Sequence, residues 1–197
     1  KVRYQSMKIL VTGATGLVGR ALTNYLRSVG NNVRPFTWPT DWNPDTGFIK
    51  RERLEGCDAV IHLAGENIAS GRWTAARKAK ILDSRRKGTR LLSTALADLR
   101  HPPKALISAS AIGYYGDRGE EILEEQSGPG RGFLAEVCMR SQRFVQIRDI
   151  GRVVFVMVNL HGACVDMRFQ SVVRIRKRGQ AKGAGRRGRG LGKSRCQ

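Results

Sequence analysis

The sequence predicts an α/β fold organised as a doubly wound parallel sheet, and two observations support this prediction. Strand-like and helix-like patterns alternate through the front two thirds of the chain, as a parallel sheet with crossover helices requires. A glycine-rich turn, Thr12 to Gly19, joins the first strand to the first helix. The chain has 197 residues, of which 41% are hydrophobic and 26% charged, so it can bury one core of this kind.

The first elements follow from local patterns. An apolar run predicts a strand at 8–12, and apolar residues at helical spacing predict a helix at 17–28. Gly30 then ends the helix, as glycine commonly does. A short second strand is predicted at 32–37. Turn-forming residues mark the stretch after it as a loop; these are Pro35, Pro39, Pro44 and Gly47.

The later elements continue the alternation. Residues 59–63 have the pattern of a buried strand. A long helical pattern runs from 74 to 99, with Gly88 as a candidate break. Residues 104–110 form the next strand-like run, and residues 151–158 have the pattern of a further parallel strand.

Residues that can bind a ligand or take part in catalysis follow the carboxyl ends of these strands. In open parallel sheets, ligands bind beyond those ends. We therefore expect three segments to converge on one crevice: Thr12-Gly13, Ala64-Gly65 and Ser110 to Tyr115.

The glycine turn has the spacing G-x-x-G-x-x-G. Gly13 suits the tight turn out of the strand, Gly16 lets a phosphate approach the backbone, and Gly19 lets the helix pack closely on the strand. With 23 glycines in the chain, the spacing alone also fits a plain glycine-rich turn. The strand before it and the helix after it favour dinucleotide binding, because a helix N-terminus attracts anions.

Charge is distributed unevenly along the chain. The net charge is +20, yet residues 1–138 contain 21 Lys+Arg against 14 Asp+Glu, whereas residues 139–197 contain 15 against 2. From Arg174 onward there is no acidic residue and hardly an apolar one, which predicts disorder. Residues 170–197 also lack aromatic side chains for stacking on bases, so nucleic-acid binding through this segment is only a lesser alternative.

Composition disfavours several other classes of protein. No apolar run approaches the length of a membrane helix, and no secretory leader precedes the first strand. By default, we expect a cytoplasmic protein without a membrane partner. The four cysteines are far apart and form no CxxC pair, so neither a metal site nor a disulfide framework is expected. The sequence does not indicate an oligomeric state.

Five segments in order resemble a known family. The chain is similar to the extended-type short-chain dehydrogenase/reductases, and within them to the epimerase-like proteins of the NAD-dependent epimerase/dehydratase superfamily once labelled cell-division inhibitors. The resemblance covers about residues 7–138. It rests on MKILVTGATGLVGRAL (7–22), DAVIHLAGENIASGRWT (58–74), ILDSRRKGTRLL (81–92), SASAIGYYGDRGEE (108–121) and PGRGFLAEVC (129–138).

The resemblance implies a Rossmann-type NAD(P)-binding domain over residues 7–160, truncated or altered at its C-terminal end. A basic tail over 161–197, expected to be disordered, then stands where relatives have a substrate domain. The implied cofactor-binding residues are Gly13, Thr15, Gly16, Leu17, Val18, Gly19, Thr37, Leu63, Ala64, Gly65 and Arg85. NADP is favoured over NAD, because relatives of this branch look adapted to NADP through a Ser-Arg pair at the end of the second strand. In this chain Thr37 can replace the hydroxyl of that pair, whereas Trp38 loses its charge.

The candidate catalytic residues depart from the family pattern. Ser110 matches the serine that polarises a substrate carbonyl in active relatives, although a serine at a strand end also caps turns. Leu134 and Cys138 replace the Tyr-x-x-x-Lys pair that supplies acid/base chemistry. Tyr114 and Tyr115 are candidate substitutes, and packing residues are the alternative.

Arg85 stands where the wider family has asparagine. It is placed to reach the nicotinamide side or the phosphates of the cofactor, or else it is a surface arginine on a basic helix face. The resemblance implies hydride transfer between the cofactor and a nucleotide-sugar-like or other hydroxyl- or carbonyl-bearing small molecule. The altered pair leaves open a non-catalytic NAD(P)-binding or regulatory protein.

Overall fold

The computed structural model describes residues 5–124, 126–143, 152–161 and 164–173. The strands are β1 (Lys8–Thr12), β2 (Asn32–Phe36), β3 (Trp42–Asn43), β4 (Phe48–Ile49), β5 (Ala59–His62), β6 (Ala105–Ala111), β7 (Arg152–His161) and β8 (Cys164–Val173). The helices are α1 (Leu17–Ser28), α2 (Ala75–Ala97) and α3 (Phe133–Gln142), with 3-10 turns at Arg51–Arg53 and Ile112–Tyr114.

Six of these strands form one sheet in the order β2-β1-β5-β6-β7-β8. The first five are parallel, and β8 runs antiparallel to β7. The predicted parallel strand at 151–158 is therefore confirmed. Because the chain adds β2 on one side of β1 and β5 on the other, the strand order reverses between β1 and β5, and ligands bind open α/β sheets at such a point.

The two faces of the sheet are covered by different helices, as a doubly wound fold requires. Leu10 and Val60 face a core that includes Leu92 and Leu96 of α2, whereas Val11 and Ile61 face Leu22 and Leu26 of α1. This alternation follows from the period of two in a strand, which sends successive side chains to opposite faces. The predicted fold class is confirmed.

Helix α2 is continuous through Gly88, where the sequence offered a candidate break. A Cβ atom at this position would lie 3.3 Å from the buried Trp42 ring. The missing side chain thus lets α2 pack closely on Trp42, and this packing outweighs the low helix propensity of glycine.

The stretch predicted as a loop contains the β3–β4 hairpin. It also contains a hydrogen-bonded carboxylate, that of Asp41, which the sequence did not reveal. The backbone N–H and the hydroxyl of Thr37 both donate to the Asp41 carboxylate, each at 2.9 Å. Arg53 lies 2.5 Å and Lys50 3.7 Å from the same carboxylate. Burial raises the pKa of Asp41, but the hydrogen bonds from Thr37 and Arg53 outweigh burial and hold the pKa below its ordinary value.

The structure describes only part of the range 161–197, which the sequence predicts to be disordered. Residues 164–173 form β8, inside the 161–197 range, whereas residues 174–197 lie outside the described residues. Apolar and polar residues alternate through VDMRFQSV, which is a strand pattern. The average charge of the whole tail conceals that pattern.

A buried histidine joins the carboxyl ends of β1 and β5. His62 is 4% exposed, and its Nδ1 lies 2.7 Å from the Thr12 hydroxyl oxygen, which also accepts a bond from the Ala64 N–H at 3.3 Å. The edge of the His62 ring meets Trp42. Burial lowers the pKa of His62 to about 4, and the positive charge of Arg85 acts in the same direction.

This pKa predicts a loss of stability in mild acid. Between the ordinary pKa of 6.5 and the folded value of about 4, the unfolded chain binds a proton that the folded chain does not, so stability falls as pH falls. We expect the free energy of unfolding to drop by about 2 kcal/mol from pH 7 to pH 4.5 through this group. Urea denaturation at both pH values measures the drop.

The variant His62→Asn should lose most of this pH dependence, whereas the exposed His101→Asn should keep it. An equal pH dependence in wild-type and His62→Asn protein would contradict the assignment.

Candidate functional site

Two cavities adjoin at the carboxyl ends of β1, β5 and β6, and both are lined by Leu63, Ala64 and Gly65. The turn cavity, of about 310 Å³, is also lined by Gly13, Ala14, Thr15, Gly16, Phe36, Thr37, Trp38 and Trp42. The inner cavity, of about 230 Å³, is also lined by Val18, His62, Glu66, Asn67, Ile68, Arg85, Thr89, Ser108, Ala109, Ser110, Ala111, Cys138 and Ser141. The crevice expected from topology therefore exists, although Tyr114 and Tyr115 line neither cavity.

The glycine turn has steric requirements at its two ends. Gly13 has φ +70, and a Cβ atom there would lie 2.8 Å from the Ala64 nitrogen. A Cβ atom at Gly19 would lie 2.1 Å from the Gly13 carbonyl oxygen. These close approaches let the turn and α1 lie directly against the end of β5.

The middle glycine is open instead. Gly16 has φ −70, and a Cβ atom there would meet only the Gly13 oxygen, at 3.4 Å. It is the N-cap of α1, and no side chain caps this helix end. Helix N-termini leave backbone N–H groups without intrahelical partners, and these N–H groups attract phosphate. The turn cavity therefore fits the pyrophosphate of a dinucleotide.

The end of β2 forms the far wall of the turn cavity. Thr37 and Trp38 line the cavity, and Trp38 is 62% exposed. The hydroxyl of Thr37 already donates to Asp41. Since the Asp41 carboxylate accepts from Thr37 and pairs with Arg53, it is engaged within the protein.

The loop after β5 supplies Glu66, Asn67 and Ile68 to the lining of the inner cavity. Hydrogen bonds from α2 hold this loop in place. Arg77 pairs with the Glu66 carboxylate at 2.7 Å and also donates to the Asn67 carbonyl and the Ser70 hydroxyl. Arg85 donates from Nη1 to the Glu66 carbonyl at 3.0 Å. These contacts fix the loop on the first half of α2.

Sequence reasoning missed Arg77, although a signal existed. Arg77, Ile81 and Arg85 recur at four-residue spacing, which places them on one face of a helix. This spacing indicates that Arg85 faces inward with Ile81, which is fully buried. Burial accordingly lowers the pKa of Arg85 below its ordinary value, while Cys138 and Glu66 raise it.

Helix α3 presents the altered catalytic positions. The Leu134 side chain packs against Gly113, and the Cys138 thiol lies 3.9 Å from the Ala111 carbonyl oxygen. One turn further on, the Gln142 amide donates to the Ser110 hydroxyl at 3.2 Å. Ser110 and Cys138 therefore line the same cavity, and the hydrogen-bond partner of the Ser110 hydroxyl is an amide from outside the two positions at which the resemblance expects the acid/base pair.

The two candidate tyrosines pack on each other, with ring centroids 5.4 Å apart. The Tyr115 hydroxyl donates to the Glu124 carbonyl at 2.9 Å, and this residue is 6% exposed. Burial raises the pKa of Tyr114 above its ordinary value. This geometry supports a packing role for Tyr115, and it leaves Tyr114 as the phenol without a hydrogen bond among the described residues.

The sequence also led to expectations about metal ligands, cysteine pairing and membrane-spanning helices. Within the described ranges, no group of three or more His, Cys, Asp or Glu side chains is placed to hold a metal ion. Cys57 and Cys138 are free and buried. In the same part of the chain, no helix is both long and apolar enough to span a membrane.

Comparison with known proteins identifies relatives of this chain. The model of the NAD-dependent epimerase/dehydratase family matches residues 9–146. Epimerase family protein Mb2239 of Mycobacterium bovis is 38% identical over 138 residues, a match that covers 66% of this chain and 45% of that protein. The chain thus spans less than half the length of this curated relative.

Solved structures agree with this assignment. The nucleoside-diphosphate sugar epimerase of Corynebacterium glutamicum aligns with a TM-score of 0.64 at 36% identity, covering 78% of this chain and 34% of the other. Human epimerase family protein SDR39U1 (isoform 2), solved with NADPH, aligns with a TM-score of 0.62 at 28% identity, covering 72% and 49%. The resemblance found in the sequence is confirmed, and the chain belongs to the NAD-dependent epimerase/dehydratase family.

Proposed function

We propose that this chain binds a nicotinamide dinucleotide, with its pyrophosphate on the glycine turn. The observation that carries the proposal is the contrast within the turn, where Gly13 and Gly19 are closed by backbone contacts and Gly16 is open to the cavity. The NADPH bound in the human relative supports it. The phosphate loop would consist of Gly13, Thr15, Gly16, Leu17, Val18 and Gly19. The cofactor would lie against the segment that follows β5, which consists of Leu63, Ala64 and Gly65.

The chemistry of such a site is hydride transfer, which the bound cofactor supplies. The protein's own contribution is to bind, orient and exclude water. Ser110 would orient a hydroxyl or carbonyl compound through its hydroxyl, and Tyr114 or Tyr115 would serve as acid or base. Of the two phenols, Tyr114 is the better candidate because the Tyr115 hydroxyl is engaged by Glu124.

Gly16→Val tests cofactor binding without straining the fold. At φ −70 a side chain is tolerated, yet it would project where the phosphate approaches. We expect the dissociation constant for NADPH, measured by quenching of tryptophan fluorescence, to rise at least about tenfold. Gly128→Val, at a loop position where a Cβ meets nothing within 4 Å, is the matched control and should bind normally. A wild-type chain that responds to neither NADPH nor NADH would contradict the proposal.

We further propose that NADP is preferred over NAD. The acidic residue nearest the end of β2, Asp41, is engaged by Thr37 and Arg53, so it is not free to hold a ribose diol. Lys50 adds a second cation to this group. A 2′-phosphate at this end of the cavity would therefore meet a net positive charge.

This preference predicts a tighter dissociation constant for NADPH than for NADH in calorimetric titration. Lys50→Gln should weaken NADPH binding by about two- to fivefold at low salt and leave NADH binding unchanged, because only NADPH carries the extra phosphate. Lys80→Gln removes one charge from an exposed position of α2 and should change the affinity for neither cofactor. Equal affinity of the wild-type chain for both cofactors would contradict the preference.

A second candidate function is cofactor binding without catalysis. It is favoured by Leu134 and Cys138 at the positions of the acid/base pair and by the engaged Tyr115 hydroxyl. In this case the protein would respond to the cofactor as a regulatory component.

Turnover distinguishes the two candidates. In the catalytic case, Ser110→Ala and Tyr114→Phe should each lower kcat for NADPH-dependent reduction of small carbonyl compounds by at least about tenfold with an unchanged NADPH dissociation constant. Ser6→Ala, at an exposed position before β1, is the control. NADPH binding without turnover across such a panel would favour the non-catalytic candidate.

A further inference from the structure

Arg85 is a partly buried cation that lines the inner cavity. Its Nη1 donates to the carbonyl oxygens of Glu66, at 3.0 Å, and Ile81, at 3.3 Å. Among the described residues, these are the hydrogen bonds of the guanidinium, and no carboxylate there pairs with it. An arginine has five N–H donors, so the Nε and Nη2 groups retain donors at a cavity that Arg85 lines.

The acidic side chain that acts on Arg85, Glu66, is already paired with another arginine. The carboxylate of Glu66 is bound by Arg77 at 2.7 Å, and only the Glu66 backbone oxygen meets Arg85. His62, on the same cavity, is neutral at pH 7 because burial lowers its pKa to about 4. Arg77 and Arg85 thus share one carboxylate, which leaves a net positive charge beside the inner cavity.

A buried charge without a counterion is costly, and buried ions in proteins are normally paired. The fork of a guanidinium matches the two oxygens of a carboxylate or phosphate. Ser108 and Ser110 line the same cavity, and their hydroxyl groups suit the remaining polar atoms of a small ligand. The apolar Val18 and Ile68 line the same space.

The cofactor's pyrophosphate is a poor candidate for the missing anion. Gly13 and Gly16, where the pyrophosphate would bind, line the turn cavity, and Arg85 does not. Arg85 instead shares its cavity with Ser110, the proposed substrate-orienting residue. The positive charge thus lies on the substrate side of the site.

We infer that the inner cavity binds a small-molecule substrate carrying an oxyanion, a carboxylate or a phosphate, which rests on the Arg85 guanidinium. The inference rests on the proposed function, since the inner cavity is the substrate side only if the dinucleotide occupies the turn cavity.

The test uses calorimetric titration of the full chain saturated with NADPH, at constant ionic strength. The probes are oxamate, its neutral counterpart oxamide, and inorganic phosphate. Oxamate or phosphate should bind and oxamide should not, and the better anion of the two identifies the oxyanion. Binding of oxamide as tight as that of oxamate would overturn the inference.

Variants test the role of Arg85 itself. Arg85→Gln should weaken binding of the anion at least about tenfold with an unchanged NADPH dissociation constant. Arg86→Gln is the matched control, because Arg86 is the next residue on α2 and pairs with Asp83 at the surface; it should bind normally. Should Arg85→Gln fail to fold, Arg85→Lys, which keeps the charge and loses the fork, should bind the anion more weakly than wild type.

The possible failures are distinguishable. NADPH binding without a response to either anion overturns this inference and leaves the proposed function standing. Loss of NADPH affinity in Arg85→Gln assigns the residue to the cofactor and also overturns it. Absence of NADPH binding in the wild-type chain overturns both proposals.

Discussion

The close approach of the first βα turn to the end of β5 is the constraint on which the rest of the site depends. The Gly13 backbone lies so near Ala64 that a side chain would collide with its nitrogen. The Thr12 hydroxyl meanwhile bonds both the His62 ring and the Ala64 N–H. Together these contacts hold the turn, the start of α1 and the Leu63–Gly65 segment in one arrangement. Both cavities use that segment as their common floor.

The side of the site away from the glycine turn is organised by arginines of α2 rather than by the catalytic pair typical of the family. Arg77 and Arg85 hold the loop after β5 through its carbonyl, hydroxyl and carboxylate oxygens. On helix α3, Leu134 and Cys138 stand where the resemblance expects the acid/base pair. Charge in this part of the site is therefore supplied by a guanidinium, which binds and orients anions but does not transfer protons at neutral pH.

Most of the fold is predictable from sequence because its signals are local. The helix at 17–28 and the strand at 8–12 are observed at their predicted bounds, since apolar spacing and a terminal glycine act within a few residues. The continuity of α2 through Gly88 is not predictable in this way. It depends on the ring of Trp42, which lies far away in sequence and packs where the glycine leaves room.

The sequence by itself identified the family, because five segments in order carry its residues, and it predicted a dinucleotide cofactor from the steric requirements of one short glycine turn. Tertiary structure decided the state of the ionisable groups. Arg85 is a partly buried cation that lines the inner cavity, Asp41 is engaged by Thr37 and Arg53, and the Tyr115 hydroxyl is bound by Glu124. Each of these outcomes depends on burial and on partners from separate segments that only the folded chain brings together.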